Sequence, residues 1–431
     1  NIYSSEWPVA NRVIELYLQK KSENGGWERQ INGISNNEKA VLLLEKRTFK
    51  ELLVDMELRN LQNNIVGQEA SRLFARAEIN MGVEAFRDSL YSLLKRNTFL
   101  NIKFENMLDT LGEISRTDIR SLLGEWEKTT PLPFYSLGEP TLTKITNKGG
   151  EEFFVLKMLI SNNSDYDGII HMDIRKDGWW YQPLEDPRAK TKIEMPAHTS
   201  KEFVSVWEDQ IRNVEINTMV SGNLPNIISQ DINNVKQERN KIVKDSIYIL
   251  PESSFDLPGE IIVDNEDSTL FILSAPPIVG LLPKWLDEVE ETPFKYSGIS
   301  WWRPPLQWTA TTNDRYYGKY IRSAFVIKSG DGSQTATWKV PVPEVGQYDL
   351  YYHVFKDDEL RWNNNLQGEY HFKVKYGSEV EDAYVNLRKA NEGWEQLGSY
   401  YFDSDTIRVV LTDECKLRSV TADAVKIVKR Y

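Results

Sequence analysis

The densest candidate chemistry in this 431-residue chain lies in Trp301-Trp302-Arg303-Pro304-Pro305-Leu306-Gln307-Trp308. A flat indole can cover the apolar C–H face of a sugar while polar neighbours take its hydroxyls. In the analogous stacking on nucleobases each ring contributes on the order of 1–3 kcal/mol. Pro304 and Pro305 keep part of the segment out of regular strand pairing. With Trp362, in Leu360-Arg361-Trp362-Asn363-Asn364-Asn365, the candidate ligand-binding set is Trp301, Trp302, Trp308 and Trp362. Exposed aromatic patches mark interaction sites; the competing reading packs each ring into a sandwich end or against the preceding domain. A second cluster, Asp264-Asn265-Glu266-Asp267, offers oxygen ligands for a structural calcium, with Asp264 and Asp267 as candidate ligands. It lacks the EF-hand spacing, and a solvated acidic turn uses the same residues. No other cofactor is indicated.

Catalytic constellations are missing from the sequence. The four histidines, His171, His198, His353 and His371, form no His-Glu-x-x-His; that motif places two metal ligands one helical turn apart with a glutamate to polarise water. No Gly-x-Ser-x-Gly turn presents a serine nucleophile, and Gly330-Asp331-Gly332 is a turn with no phosphate-loop Gly-Lys-Ser/Thr after it. The lone Cys415 excludes an intramolecular disulfide and a cysteine zinc cluster. A catalytic thiol there would need a neighbouring base or positive field. The chain is therefore expected to be non-catalytic.

A net charge of −12 disfavours nucleic-acid backbones and anionic membranes as partners. Hydrophobic content of 40% supports folded cores, and no run of eighteen apolar residues provides a membrane span. The length predicts two to four domains.

The elements that must position these residues follow from periodicity. Residues 1–134 read as helical. Leu73, Phe74, Ala77 and Met81 fall near helical spacing, as do Phe86, Leu90, Leu93 and Leu94. Phe104, Met107, Leu108 and Leu111 form one stripe, and Ile119, Leu122, Leu123 and Trp126 another. Ser115 with Asp118 resembles a capping box, and Pro131 and Pro133 end the region. Residues 135–225 read as strands: Phe154, Leu156, Met158 and Ile160 alternate, and Ile170, Met172 and Ile174 point away from His171, Asp173 and Arg175. Residues 226–257 read as a connector containing one polar helix over 227–244 with a thin stripe of Ile232, Val235 and Ile242. From 258 onward strands return. Tyr370, Phe372, Val374 and Tyr376 alternate with polar residues; Ala383, Val385 and Leu387 repeat the pattern, as do Ile407, Val409 and Leu411. Residues 268–300 read as an insertion after the first strand of this last domain. The fold class expected is multidomain α+β: a helical bundle (1–134), an immunoglobulin-like β-sandwich (135–225), the connector (226–257) and a larger jelly-roll-like β-sandwich (258–431).

Two resemblances accompany this reading. The ordered set from Pro258-Gly259-Glu260-Ile261-Ile262-Val263-Asp264-Asn265-Glu266-Asp267 through Ala336–Val340, Gly346–Tyr352 and Trp394–Phe402 to Thr421–Val428 resembles the golvesin C-terminal-like domain. That domain is also described as xanthan-lyase carbohydrate-binding-like. The resemblance implies a β-sandwich appended to bacterial surface enzymes and adhesins, and it names no ligand. Met81-Gly82-Val83-Glu84-Ala85-Phe86, Asn101–Met107 and Arg116–Arg120 before Trp126 look like the helical tail of aminopeptidase N-type zinc peptidases, without their catalytic motif.

The expectation is a non-catalytic C-terminal region of a secreted, Bacteroidetes-type multidomain protein. It would be periplasmic or at the cell surface and would bind a polysaccharide or cell-surface glycan. The chain begins at Asn1 without a signal-peptide pattern and reads as a piece of a longer precursor, whose upstream domains are its other partners. Two alternatives stand beside this: the accessory half of a zinc aminopeptidase-like enzyme, and a structural spacer.

Overall fold

The structure is a computed structural model and describes residues 1–19, 26–176, 182–239, 241–251, 259–274, 294–300, 302–356 and 368–430. Among these, strand outweighs helix, and the chain divides into two compact units: Asn1–Asn24 with Asn36–Phe255, and Gly25–Ser35 with Asp256–Tyr431.

In the first unit the helices Ala10–Leu18, Asn36–Lys46, Phe49–Val54, Val83–Arg96 and Phe104–Ser115 gather around the twenty-residue helix Gln62–Met81. The stripe read from Phe104, Met107, Leu108 and Leu111 is buried throughout, as are Ile119, Leu123 and Trp126. Trp126 meets Trp7 edge-on at 5.0 Å and Phe49 at 4.8 Å, an arrangement the ring quadrupoles favour. The capping expectation is corrected. Ser115 Oγ donates to Leu111 O at 2.8 Å inside the helix, and Asp118 caps instead, accepting from Ser121 N at 3.1 Å. The capping box of this region is Thr48 with Glu51. A hydroxyl in a last helical turn finds the i−4 carbonyl first, so the spacing alone misled.

Apart from the short parallel pair of Ile2–Tyr3 with Ile102–Lys103, the strands described in this unit form two sheets. One orders Ile227–Asp231, Ile211–Asn217 and Gly168–Lys176, with Gln182–Pro183 and Lys190–Met195 paired to the last. The other orders Val235–Arg239, Thr141–Thr146, Glu152–Asn162, Thr199–Trp207 and Ser246–Pro251. Between them lie Leu142, Leu156, Met158 and Ile160 from one sheet and Ile170, Met172, Ile174, Val214 and Ile216 from the other, the faces that the alternation assigned. The polar helix expected over 227–244 is overturned. Ile227–Asp231 pairs antiparallel with Ile211–Asn217, and Val235–Arg239 pairs parallel with Thr141–Thr146. Ser246–Pro251 then pairs antiparallel with Thr199–Trp207. All three are edge strands; Val235–Arg239 exposes most of its side chains and carries Lys236, Glu238 and Arg239, charges that blunt an edge, whereas Ser246–Pro251 exposes Ile247, Tyr248, Ile249 and Leu250. The polar composition of residues 227–244 imitated a solvated helix, and Ile242, assigned to its stripe, is 90% exposed.

In the second unit a four-stranded antiparallel sheet orders Glu260–Val263, Val425–Lys429, Gly346–Val354 and Gly393–Phe402. A five-stranded sheet orders Phe271–Leu273, Thr335–Pro341, Thr406–Thr412, Glu369–Tyr376 and Glu379–Asn386. A small third sheet joins Thr309–Thr312, Ser323–Lys328 and Ser419–Ala422. One core holds Leu350, Tyr352, Val425 and Ile427 from the first sheet and Trp338, Phe372, Val374, Val409 and Leu411 from the second. The alternations of Tyr370–Val374, Ala383–Leu387 and Ile407–Leu411 all point inward as read. The helix Gly26–Asn32 belongs to this unit. A Cβ on Gly298 would lie 1.9 Å from Ile31 O, and one on Gly33, whose φ is +81°, would lie 2.4 Å from Ser297 N. Only glycines allow this approach.

Candidate functional site

The strand Gly346–Val354 turns Tyr348, Leu350, Tyr352 and Val354 into the core, so Asp349, Tyr351 and His353 stand on the outer face of the four-stranded sheet. Antiparallel register sets partners directly opposite on the same face. Trp394 lies opposite His353, and Lys426 lies opposite Tyr351. A register shift between Leu350 and Tyr351 marks a bulge against Gly393–Phe402, of the kind that re-aims neighbouring side chains.

These residues form a half-buried aromatic platform. Trp394 meets His353 edge-on with ring centroids 5.1 Å apart. Tyr317, from the loop before Ser323–Lys328, lies 5.1 Å from Trp394 and 5.8 Å from His353. Lys426 Nζ stands 4.9 Å from the Trp394 ring and 5.3 Å from the Tyr351 ring, within cation–π range. It is also 3.1 Å from Glu260 Oε1.

Below the platform the carboxylate of Asp423 is fully buried. It lies 2.9 Å from His353 Nδ1 and accepts from Tyr317 N at 3.2 Å. Burial pushes its carboxyl above the ordinary carboxylate range, and His353 and the Tyr317 N–H oppose that rise. A carboxylate on Nδ1 selects the ring tautomer that leaves Nε2 as an acceptor when the imidazole is neutral.

The acidic cluster read from the sequence lies partly beside this group. Asp264 is half-buried and accepts from Asn265 N at 2.7 Å. Burial raises its carboxyl well above the ordinary range, and the negative charge of Asp423 raises it further. Asp267 instead closes a turn, accepting from Thr269 N at 3.1 Å and Thr269 Oγ1 at 2.7 Å. Glu266 accepts from Tyr296 at 3.0 Å and from Lys295 at 2.6 Å. Among the described residues no group of three or more His, Cys, Asp or Glu is placed to hold a metal ion.

A pH dependence of stability follows. A carboxyl whose folded pKa is raised binds its proton more tightly in the folded state, so stability falls as pH rises from its unfolded value, about 4, through the folded one. Asp264→Asn is expected to flatten that fall and to raise the melting temperature near pH 7. Thermal unfolding of both proteins from about pH 4 to about pH 7 measures it; parallel curves would mean the Asp264 carboxyl is not the titrating group.

Of the tryptophans singled out by sequence, Trp301 and Trp362 lie outside the described residues, as does most of the 268–300 insertion. Trp302 is 67% exposed beneath the Arg418 guanidinium, which stands 5.3 Å from its ring. Trp308 packs against the core, its indole N–H buried without a hydrogen-bond partner. The platform residues Tyr317, Tyr351, His353, Trp394 and Lys426 were missed. The signal for Tyr351 and His353 was present, since they alternate with core residues, but the register that adds Trp394 and Lys426 is long-range.

The platform, apart from Glu260, lies inside a recognised sequence family. Residues 304–429 match the Golvesin C-terminal domain. The match covers just under a third of the chain. No curated protein matches the chain. Among solved structures, Bacteroides uniformis beta-glucuronidase is similar at 13% identity and a TM-score of 0.20, over 71% of this chain and 31% of that one. Beta-glucuronidase 2 of the same organism, covalently bound to cyclophellitol-6-carboxylate aziridine, gives 12% and 0.19 over the same shares. The chain thus spans about a third of the length of these two proteins.

Proposed function

We propose that the C-terminal unit is a non-catalytic glycan-binding module that uses the outer sheet face around Trp394, and that it holds a secreted multidomain protein on a cell-surface polysaccharide. On this reading the unit is a jelly-roll-like sandwich, and the sandwich of residues 135–251 is an immunoglobulin-like spacer beside the helices. The observation that supports it is the platform itself. On this reading Trp394, Tyr317 and Tyr351 present ring surface to sugar C–H faces, and His353 and the tyrosine hydroxyls supply polar groups for sugar hydroxyls. The Golvesin C-terminal match over residues 304–429 supports a carbohydrate-associated role for the domain that carries the platform. No helix among the described residues is long and apolar enough to cross a membrane.

The test is native affinity electrophoresis of the full chain through gels containing single polysaccharides. Retardation in at least one is expected. Absence of retardation across a broad panel would overturn the reading and leave the spacer in its place. Zinc-dependent, chelator-sensitive aminopeptidase activity that copurifies with the chain would overturn the non-catalytic part.

A further inference from the structure

Resting on that reading, we infer that the platform takes neutral glycans and discriminates against uronate-rich or sulfated ones. The inference comes from how the face handles charge. Lys426, the cation at its centre, lies 3.1 Å from Glu260 Oε1, on the neighbouring strand of the same sheet. Farther along the same face Arg430 Nε pairs with Asp349 Oδ2 at 2.8 Å. At the rim beside Trp394, Arg315 pairs with Glu392 at 3.0 Å, and its guanidinium also stacks 4.5 Å from the Phe355 ring. His353 is backed by the buried Asp423.

Lys426, Arg430 and Arg315 each already have a carboxylate partner, so an arriving anion would have to displace one. Sulfate and uronate recognition normally relies on a bidentate arginine or a free cationic fork. Here the guanidinium and ammonium groups instead serve the rings and their own partners. Behind the platform Asp264 and Asp423 add negative character when ionised. At long range the net charge of −12 repels a polyanion. A neutral sugar meets none of these costs, and its hydroxyls can bridge the paired groups without breaking them.

The experiment compares gels containing neutral polymers (a β-glucan, a mannan, hydroxyethylcellulose) with gels containing polygalacturonate, alginate or chondroitin sulfate. Wild type is expected to be retarded by at least one neutral polymer and by none of the anionic ones. The neutral retardation should change less than about twofold between low salt and about 0.5 M NaCl, because no ion pair with the ligand is screened. The variant Glu260→Gln, which releases Lys426, is expected to gain salt-sensitive retardation by polygalacturonate that wild type lacks. Retardation of wild type by anionic polymers alone, relieved by salt, would overturn this inference and leave glycan binding standing. A Glu260→Gln protein that gains nothing would also overturn it, because ion pairing would not be what sets the selectivity. Retardation by neither class would remove the glycan-binding reading and this inference together.

Discussion

Glu78→Gln is expected to destabilise the N-terminal unit by about 3–5 kcal/mol, the cost of leaving one member of a buried ion pair uncompensated. Glu78 lies on the helix Gln62–Met81 and Lys192 on the strand Lys190–Met195. Their side chains are only 2% and 3% exposed, and the Lys192 ammonium donates to Glu78 Oε2. Tyr17 OH donates to the other oxygen at 2.9 Å. A glutamine keeps an acceptor for Tyr17 and leaves the buried ammonium without its counter-charge. Adding Lys192→Met removes that ammonium, so the double variant should recover most of the loss. Urea unfolding followed by far-ultraviolet circular dichroism and by tryptophan fluorescence measures both. Because the pair ties a helix to a strand, the two probes should shift together within this unit. A loss below about 1 kcal/mol in Glu78→Gln would mean that the pair is hydrated in solution.

The second large effect separates two tryptophans of the C-terminal unit. Trp338→Ala is expected to cost about 3–5 kcal/mol, the usual range for emptying a core aromatic position. Trp338 is fully buried, with Phe271 at 5.3 Å and Tyr352 at 6.2 Å, and its indole N–H donates to Asp423 O at 3.2 Å. Trp302→Ala should change stability by no more than about 0.5 kcal/mol, as surface substitutions do, because its ring is mostly in solvent under Arg418. Thermal unfolding of the two variants decides it. A large loss in Trp302→Ala would place that ring in the core.

Much of the fold was legible because burial follows period. The stripe from Phe104 to Leu111 and the strands through Phe372, Val385 and Val409 each had one apolar face, and each turned that face inward. The segment 227–244 was misread because its strands lie at sheet edges, where little apolar signal is needed and polar residues are favoured. The membership of Gly25–Ser35 in the C-terminal unit rests on glycine contacts between residues more than 250 positions apart, which no local pattern announces. The same limit applied to the site. Trp302 drew notice because it sits in a tryptophan-rich, proline-broken run. Trp394 stands alone in Gly393-Trp394-Glu395 and becomes part of a platform only when three strands bring His353, Tyr351 and Lys426 beside it.

The account rests on the outer face around Trp394 being the glycan surface. Its most direct test sets Trp394→Ala, Trp394→Phe and Trp302→Ala against wild type in affinity gels of a polysaccharide that retards wild type, with melting temperatures recorded alongside. Loss of the indole should weaken binding by about tenfold or more, from a stacking contribution on the order of 1–3 kcal/mol. The phenylalanine variant should keep part of the retardation, and Trp302→Ala should bind as wild type does. Full retardation of a folded Trp394→Ala protein, or loss of retardation in Trp302→Ala alone, would contradict the account and move the binding surface to the proline-broken tryptophan segment or elsewhere.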